Sequence, residues 1–259
     1  MSTSWNRQNV LAAAAAWRWT PYDAETRTSE HATVVISGGR ATVDRAEATD
    51  GMATAALIAH VRQLAGDVPT FWTTNEATGD LAGELVAQGA EVAEELDVIA
   101  YELEFGVPDL AVPSDVDVVR VDTPELLADV YPVTSAVFGT NPPTQEFRDG
   151  EIADLARQVE AGEDRTVFRY LAYADGQPVG HAGTTLDGEV VKLWGGSVLE
   201  DYRGRGAYRA LLRARLADAA ERGGRLALVK ARTGTSSPIL RRAGFTAYGR
   251  EVDYLLAGE

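Results

Sequence analysis

Apolar and polar positions alternate along the chain with two periods, and these divide it into helices and strands. Leu57, Val61 and Leu64 are spaced i, i+4, i+7, as are Leu212, Leu216 and Ala219, which predicts two amphipathic helices. Each leads into a short apolar run, at 68–73 and 226–229, that reads as a strand. A shorter helix then ends at Gly89 or Gly244, where a glycine C-cap is expected. A last strand follows each, at 96–103 and 248–256. Before the second set the pattern predicts a strand at 117–121 and helices at 124–138 and 145–160, separated by Gly139-Thr140-Asn141-Pro142-Pro143. Runs 166–173 and 178–185 alternate around Asp175-Gly176 as a hairpin would, and 190–199 forms a fourth strand. The alanine-rich stretch 11–17 reads as a helix, too short to span a bilayer and without the basic flank of a leader.

The two sets of elements are copies of each other. A shift of 155 lays 43–90 on 198–245 without a gap, placing Gly51 on Gly206, Leu57 on Leu212, Thr78-Gly79 on Thr233-Gly234 and Gly89 on Gly244. The expected fold is α/β: two tandem lobes, 1–105 and 115–259, each a central mixed sheet flanked by helices. The proline-punctuated segment 106–114 serves as linker.

Composition narrows the chemistry. The chain has 259 residues, 45% hydrophobic and 24% charged, as expected of a globular protein with a real core. With no cysteine, thiolate nucleophiles and sulfur-ligated metals are excluded, and His31, His60 and His181 lack ligand spacing, so no metal is expected. A net charge of −15 argues against nucleic acid or a membrane as partner, and the chain reads as cytoplasmic. The charge is uneven. Residues 1–113 hold 6 basic and 17 acidic residues, whereas 190–250 holds 13 basic and 4 acidic. A basic island in an acidic chain points to a local polyanion site.

Within that island lies Arg203-Gly204-Arg205-Gly206-Ala207-Tyr208-Arg209, between a strand and a helix. Backbone N–H groups at a helix N-terminus, freed by glycines and flanked by arginines, suit a phosphate. Here the sequence resembles the GCN5-related N-acetyltransferase (GNAT) family, whose pyrophosphate loop reads Arg/Gln-x-x-Gly-x-Gly/Ala. Arg203 and Gly206 fit, while Tyr208 stands where the pattern asks for a small residue. Leu240-Arg241-Arg242-Ala243-Gly244-Phe245 resembles the family's Gly-Phe helix end. The resemblance covers nearly all of 115–259. It implies acetyl-CoA as co-substrate, held by Ser197, Val198, Leu199, Arg203, Gly204, Arg205, Gly206, Ala207, Tyr208 and Arg209, with the pantetheine arm on backbone near Val198 and Leu199.

By the same alignment the N-terminal lobe is a degenerate, structural copy. Ala48-Thr49-Asp50-Gly51 replaces Arg203-Gly204-Arg205-Gly206, putting a carboxylate where phosphate would lie. The two lobes mimic a dimer, which suggests a monomer.

The resemblance leaves the acceptor side open. The family's tyrosine acid falls on Leu240 and its asparagine on Thr233, while positions for a base fall on Lys192 and Trp194. A water-mediated base and a serine proton donor, Ser197 or Ser237, are the alternatives left open, and no catalytic acid or base is assigned. Lys192, Trp194 and Phe138 are the residues expected to line the acceptor site. Lys192 needs an anionic partner, either Glu146 or a substrate carboxylate. His181, beside glycines on a strand, reads as structural. The expected function is acetyl transfer to a small amine such as an amino acid, an antibiotic or another metabolite. A CoA-binding regulator without turnover, or an enzyme for longer acyl-CoA accommodated by Gly195 and Gly196, are the alternatives.

Overall fold

The computed structural model describes residues 5–49 and 51–258. In chain order the helices are α1 (Arg7–Ala15), α2 (Thr54–Ala65), α3 (Leu81–Ala87), α4 (Pro124–Phe138), α5 (Gln145–Glu160), α6 (Ala207–Glu221) and α7 (Ser236–Arg242). The strands are β1 (Glu25–Thr28), β2 (Ala32–Ser37), β3 (Arg40–Ala46), β4 (Thr70–Thr74), β5 (Glu91–Glu102), β6 (Val116–Arg120), β7 (Val167–Ala174), β8 (Gln177–Asp187), β9 (Val190–Val198), β10 (Leu226–Arg232) and β11 (Thr246–Leu256).

The helix boundaries follow from their caps. The Thr123 hydroxyl accepts from Leu126 N–H and Pro124 occupies the first turn, where its missing donor is harmless, so α4 starts there. It stops at Gly139, which adopts the left-handed conformation. Thr144 caps α5 in the same way by accepting from Phe147 N–H. The hairpin at Asp175-Gly176 has positive φ at both residues (53° and 73°), as a two-residue turn matched to strand twist requires.

Contacts divide the chain into two compact units. The first comprises Met1–Ala15, Ile99–Val229 and Ile239–Ala247; the second comprises Ala16–Val98, Lys230–Pro238 and Tyr248–Glu259. This division does not fall at 106–114. The last strand of the chain, expected to close the C-terminal lobe, instead belongs largely to the unit built from the N-terminal copy. There Val252–Leu256 pairs antiparallel with β4.

In the first unit the strand order is β10-β9-β8-β7-β6, antiparallel except for the parallel pair β9–β10. Phe168, Tyr170, Ala172, Ala182 and Val198 pack under α6 through Ala207, Ala210 and Leu211. On the other side Leu171 packs with Leu127, Val130 and Leu155 of α4 and α5. In the second unit the order is β1-β2-β3-β4-β11, again with one parallel pair, β3–β4. Its core gathers Val34, Ile58, Val61, Trp72, Leu85, Tyr254 and Leu256.

The internal repeat is visible in the elements themselves. A shift of 155 carries Leu81–Ala87 onto Ser236–Arg242, the bounds of α7, and carries the start of β5 onto the start of β11. It also carries α2 into α6 and the parallel pair β3–β4 close to the parallel pair β9–β10.

Candidate functional site

In the first unit β9 runs into a 3-10 turn, Glu200–Tyr202, and then into α6. Gly204 (φ +77°) and Gly206 (φ +95°) take backbone conformations that side chains disfavour. Gly206 is also closely covered: a Cβ there would stand 2.7 Å from Pro113 Cδ and 3.2 Å from an Arg209 guanidinium nitrogen. Gly206 caps α6 without a side chain, and the first turn carries no acidic residue. Ala210 N–H makes the first helical bond, to the Gly206 carbonyl (3.0 Å). The N–H groups of Ala207, Tyr208 and Arg209 therefore lie ahead of it, with no acceptor among the described residues. Three adjacent donors at the positive end of a four-turn helix, in a turn only glycine can make, suit an anion such as a pyrophosphate.

The arginines around this turn have distinct tasks. Arg203 Nε donates to the Val198 carbonyl (3.3 Å) and pins the loop to the end of β9. Arg205 pairs with Asp175 of the hairpin (3.3 Å) and lies over the Tyr202 ring, 4.9 Å from its centroid. Leu199 N–H donates to the Val179 carbonyl (2.9 Å). Of the backbone at Val198 and Leu199 expected to hold the pantetheine arm, one carbonyl and one N–H are thus already engaged within the unit.

Upstream, β9 is irregular. Its parallel pairing with β10 covers only Val190–Lys192 against Leu226–Leu228. Against β8, Gly183 faces Trp194 and His181 faces Ser197, so Gly195 and Gly196 oppose Ala182 alone. This is a β-bulge, with Gly195 at φ +63°.

Polar side chains gather around the bulge. His181 is buried, and neither ring nitrogen has a hydrogen-bond partner among the described residues. Burial pushes its pKa down to about 3, helped by the charges of Arg169 and Arg215; the neighbouring Gly195 backbone opposes the shift weakly, outside hydrogen-bonding geometry. Its ring lies 6.1 Å from that of Trp194, which covers Gly183 and donates to Thr185 Oγ1 (3.0 Å). Arg169 stacks over Trp194 at 5.4 Å and pairs with the buried Glu151 of α5 (2.8 Å). Burial raises the Glu151 pKa, and Arg169 opposes the shift. From α6, the buried Arg215 donates to the Leu211 and Gly183 carbonyls (3.3 Å each). The Tyr208 ring covers Gly196: a Cβ there would stand 3.0 Å from Tyr208 Cε2.

The residues expected at the acceptor side are only partly brought together. Trp194 lies beside His181, whereas Lys192 pairs across the sheet with Thr185, at the other end of β9 from the bulge. The partner of Lys192 is Asp187 of its own hairpin (2.7 Å), rather than Glu146. Phe138 ends α4 and is 41% exposed. Leu240 is fully buried. Ser197 donates to the His181 carbonyl (3.3 Å), and Ser237 donates to Asp97 in the second unit (2.6 Å), so neither hydroxyl is a ready proton donor. Sequence reasoning set His181 aside and missed Arg215 and the Arg169–Glu151 pair. One signal was present: Arg215 occupies the apolar stripe of its helix, four residues after Leu211.

In the second unit the aligned turn contains Ala48, Thr49 and Gly51 (φ +84°); Asp50 lies outside the described residues. Among the described residues no group of three or more histidines and carboxylates could hold a metal ion, and no helix is long and apolar enough to cross a membrane.

Residues 129–244 match the Acetyltransferase (GNAT) family. No curated protein gives a significant match. Among solved structures, a GCN5-related N-acetyltransferase from Kribbella flavida is similar over 98% of this chain and 96% of its own, with TM-score 0.63 and 18% identity. A second, from Sphaerobacter thermophilus, matches 96% of this chain and 84% of its own, with TM-score 0.63 and 18% identity. A tandem GNAT protein from the clavulanic acid biosynthesis pathway matches 95% of this chain and 87% of its own, with TM-score 0.58 and 19% identity. At such identities these likenesses concern the fold.

Proposed function

Residues 129–244 form an acetyltransferase domain of the GNAT family within a tandem GNAT fold, and on that premise we propose an acetyl-CoA-dependent N-acetyltransferase acting on a small amine. The observation that carries the cofactor assignment is the start of α6. Three N–H donors without acceptors among the described residues follow a left-handed Gly206, with no carboxylate in the first turn. Ala207, Tyr208 and Arg209 would hold the pyrophosphate through these donors, and the Arg209 side chain adds charge. Arg203 fixes the loop to β9 by its bond to Val198. Bound acetyl-CoA would supply the acetyl group as a thioester.

The residues around the bulge suit positioning better than proton transfer. His181 is held neutral, Lys192 is paired with Asp187, and Trp194 does not titrate. Direct attack by a neutral amine needs orientation above all, and orientation alone lowers barriers substantially. The N-terminal copy, 1–105 by sequence, is in this reading structural, the C-terminal copy, 115–259, binds the cofactor, and the chain works as a monomer. A CoA-binding regulator without turnover is the second reading, favoured by the buried Leu240 where the family places a tyrosine.

Gly206 is a poor site for a test, since any side chain there meets Pro113. Gly204 has open space around it, so Gly204→Asn and Gly204→Asp carry the same backbone strain and differ in charge. Calorimetry with CoA should give one site per chain. Gly204→Asp should bind at least about tenfold more weakly than Gly204→Asn, since a charge-assisted contact contributes ~1.5–3 kcal/mol. Equal affinity in the two variants, or two equivalent sites in the parent chain, would refute the assignment. Free CoA release with a panel of amines then separates enzyme from regulator.

A further inference from the structure

The glycines at the β9 bulge leave room that could in principle take a longer acyl group, yet the fold fills it. Two aromatic side chains approach the pair from different elements. Tyr208, from the first turn of α6, lies with its ring on Gly196, 3.0 Å from the Cβ position. Its hydroxyl stands 3.8 Å from the same point. His181, from β8, reaches within 3.4 Å of the Cβ position of Gly195. Neither ring nitrogen of His181 has a hydrogen-bond partner among the described residues, so the imidazole acts there as volume rather than as a link in a polar network. The Trp194 ring lies 6.1 Å from it, with Arg169 over the indole.

The bulge also lies on the strand that leads into the anion cradle. A pantetheine arm has about a dozen bonds between pyrophosphate and sulfur, the length of roughly four to five strand residues at ~3.3 Å each. Counted back from Leu199, that length ends at Trp194 and Gly195, at the bulge. Beyond Lys192, β9 is no longer paired with β10, and an extended amide-bearing arm can pair with a strand edge as an added strand does.

We propose that Tyr208 and His181 close the acyl end of the cofactor site and restrict transfer to short acyl groups. This rests on the acyl-CoA reading above and adds a specificity device to it. It also gives a reason for a large residue at position 208: the ring plugs the space that Gly196 leaves open.

The test is an acyl-chain series, acetyl-, propionyl- and butyryl-CoA. Each is titrated calorimetrically without amine and then assayed with the best amine found. The parent protein should prefer acetyl-CoA over butyryl-CoA by about tenfold or more in both affinity and kcat/KM, since misfitted methylenes in a closed pocket carry penalties of that order. Tyr208→Ala should raise the butyryl-to-acetyl ratio about tenfold or more, whereas Tyr208→Phe, which keeps the volume, should leave it unchanged. His181→Ala is the second opening variant, and thermal unfolding reports whether either variant folds. A parent protein that takes butyryl-CoA as readily as acetyl-CoA would overturn the inference whatever the variants do. So would a folded Tyr208→Ala or His181→Ala protein with an unaltered ratio. Absence of any CoA binding in the parent protein would instead sink the acyl-CoA reading itself, and this inference with it.

Discussion

The turn before α6 and the turn before α2 descend from one repeated pattern and have diverged in two respects. Gly206 and Gly51 align, and both have positive φ. Gly206, however, is itself the cap of α6, which starts at the next residue, whereas α2 starts at Thr54, capped by Ala53 in an extended conformation. The helix of the second unit thus begins two residues late in the shared register, and its first N–H groups are displaced from the glycine turn. The second divergence is chemical: Arg203 becomes Ala48 and Arg209 becomes Thr54. The turn before α6 combines a helix that starts beside its glycine with arginines on either side, the two features that suit a phosphate. Retaining the glycine preserves the turn without preserving the helix start or the charge beside it.

The comparison would break most severely if the copies were independent lobes. A chain ending at Ala247 lacks Val252–Leu256, and with it one of the two strand partners of β4 and two core residues, Tyr254 and Leu256. Each buried side chain of that size contributes ~1.5–3 kcal/mol before the lost strand pairing is counted. The second unit should lose its fold, read as rapid proteolysis between residues 16 and 98 and loss of cooperative unfolding. A protease-resistant 16–98 segment in that truncated chain would mean that the N-terminal copy closes its own sheet.

A smaller effect sharpens the contrast at His181, which belongs to the unit with the cradle. Its folded pKa of about 3 lies below the ordinary 6.5, chiefly through burial. The unfolded chain therefore takes up the proton first. The stability His181 contributes is fully present above pH 6.5 and is lost as pH falls from there toward 3, at ~1.4 kcal/mol per unit. His181→Gln should flatten the acid limb of a stability-against-pH curve by about 2 kcal/mol at pH 5. An unchanged limb would place the imidazole in contact with water.

The smallest expected effect tests the rim. Arg209→Thr gives the cradle the residue of the other copy and should weaken CoA binding by ~1–2 kcal/mol, more at low salt than at high. The converse Thr54→Arg should create no second site, because α2 begins too late to offer its donors at Gly51. A second CoA equivalent bound by Thr54→Arg would show that charge alone separates the two turns.

Local pattern determined a good deal. The amphipathic spacing placed α2 and α6, the threonine and glycine caps bounded α4 and α5, and the Asp175-Gly176 pair located a hairpin. The 155-residue shift paired the copies, and the Arg/Gly turn located the start of α6. These features depend on neighbours within about one helical turn or one strand pair, so the order of residues suffices to read them. Tertiary structure decided what depends on residues far apart in the chain. Only folding assigns β11 to β4, because two copies of one strand pattern are interchangeable by sequence. Only folding buries His181 and Arg215 against the bulge, gives Lys192 to Asp187 rather than to Glu146, and sets Tyr208 on Gly196. The physical reason is the same in each case: burial and partner choice are fixed by which surfaces pack together, and a side chain's own type and spacing carry no record of what will cover it.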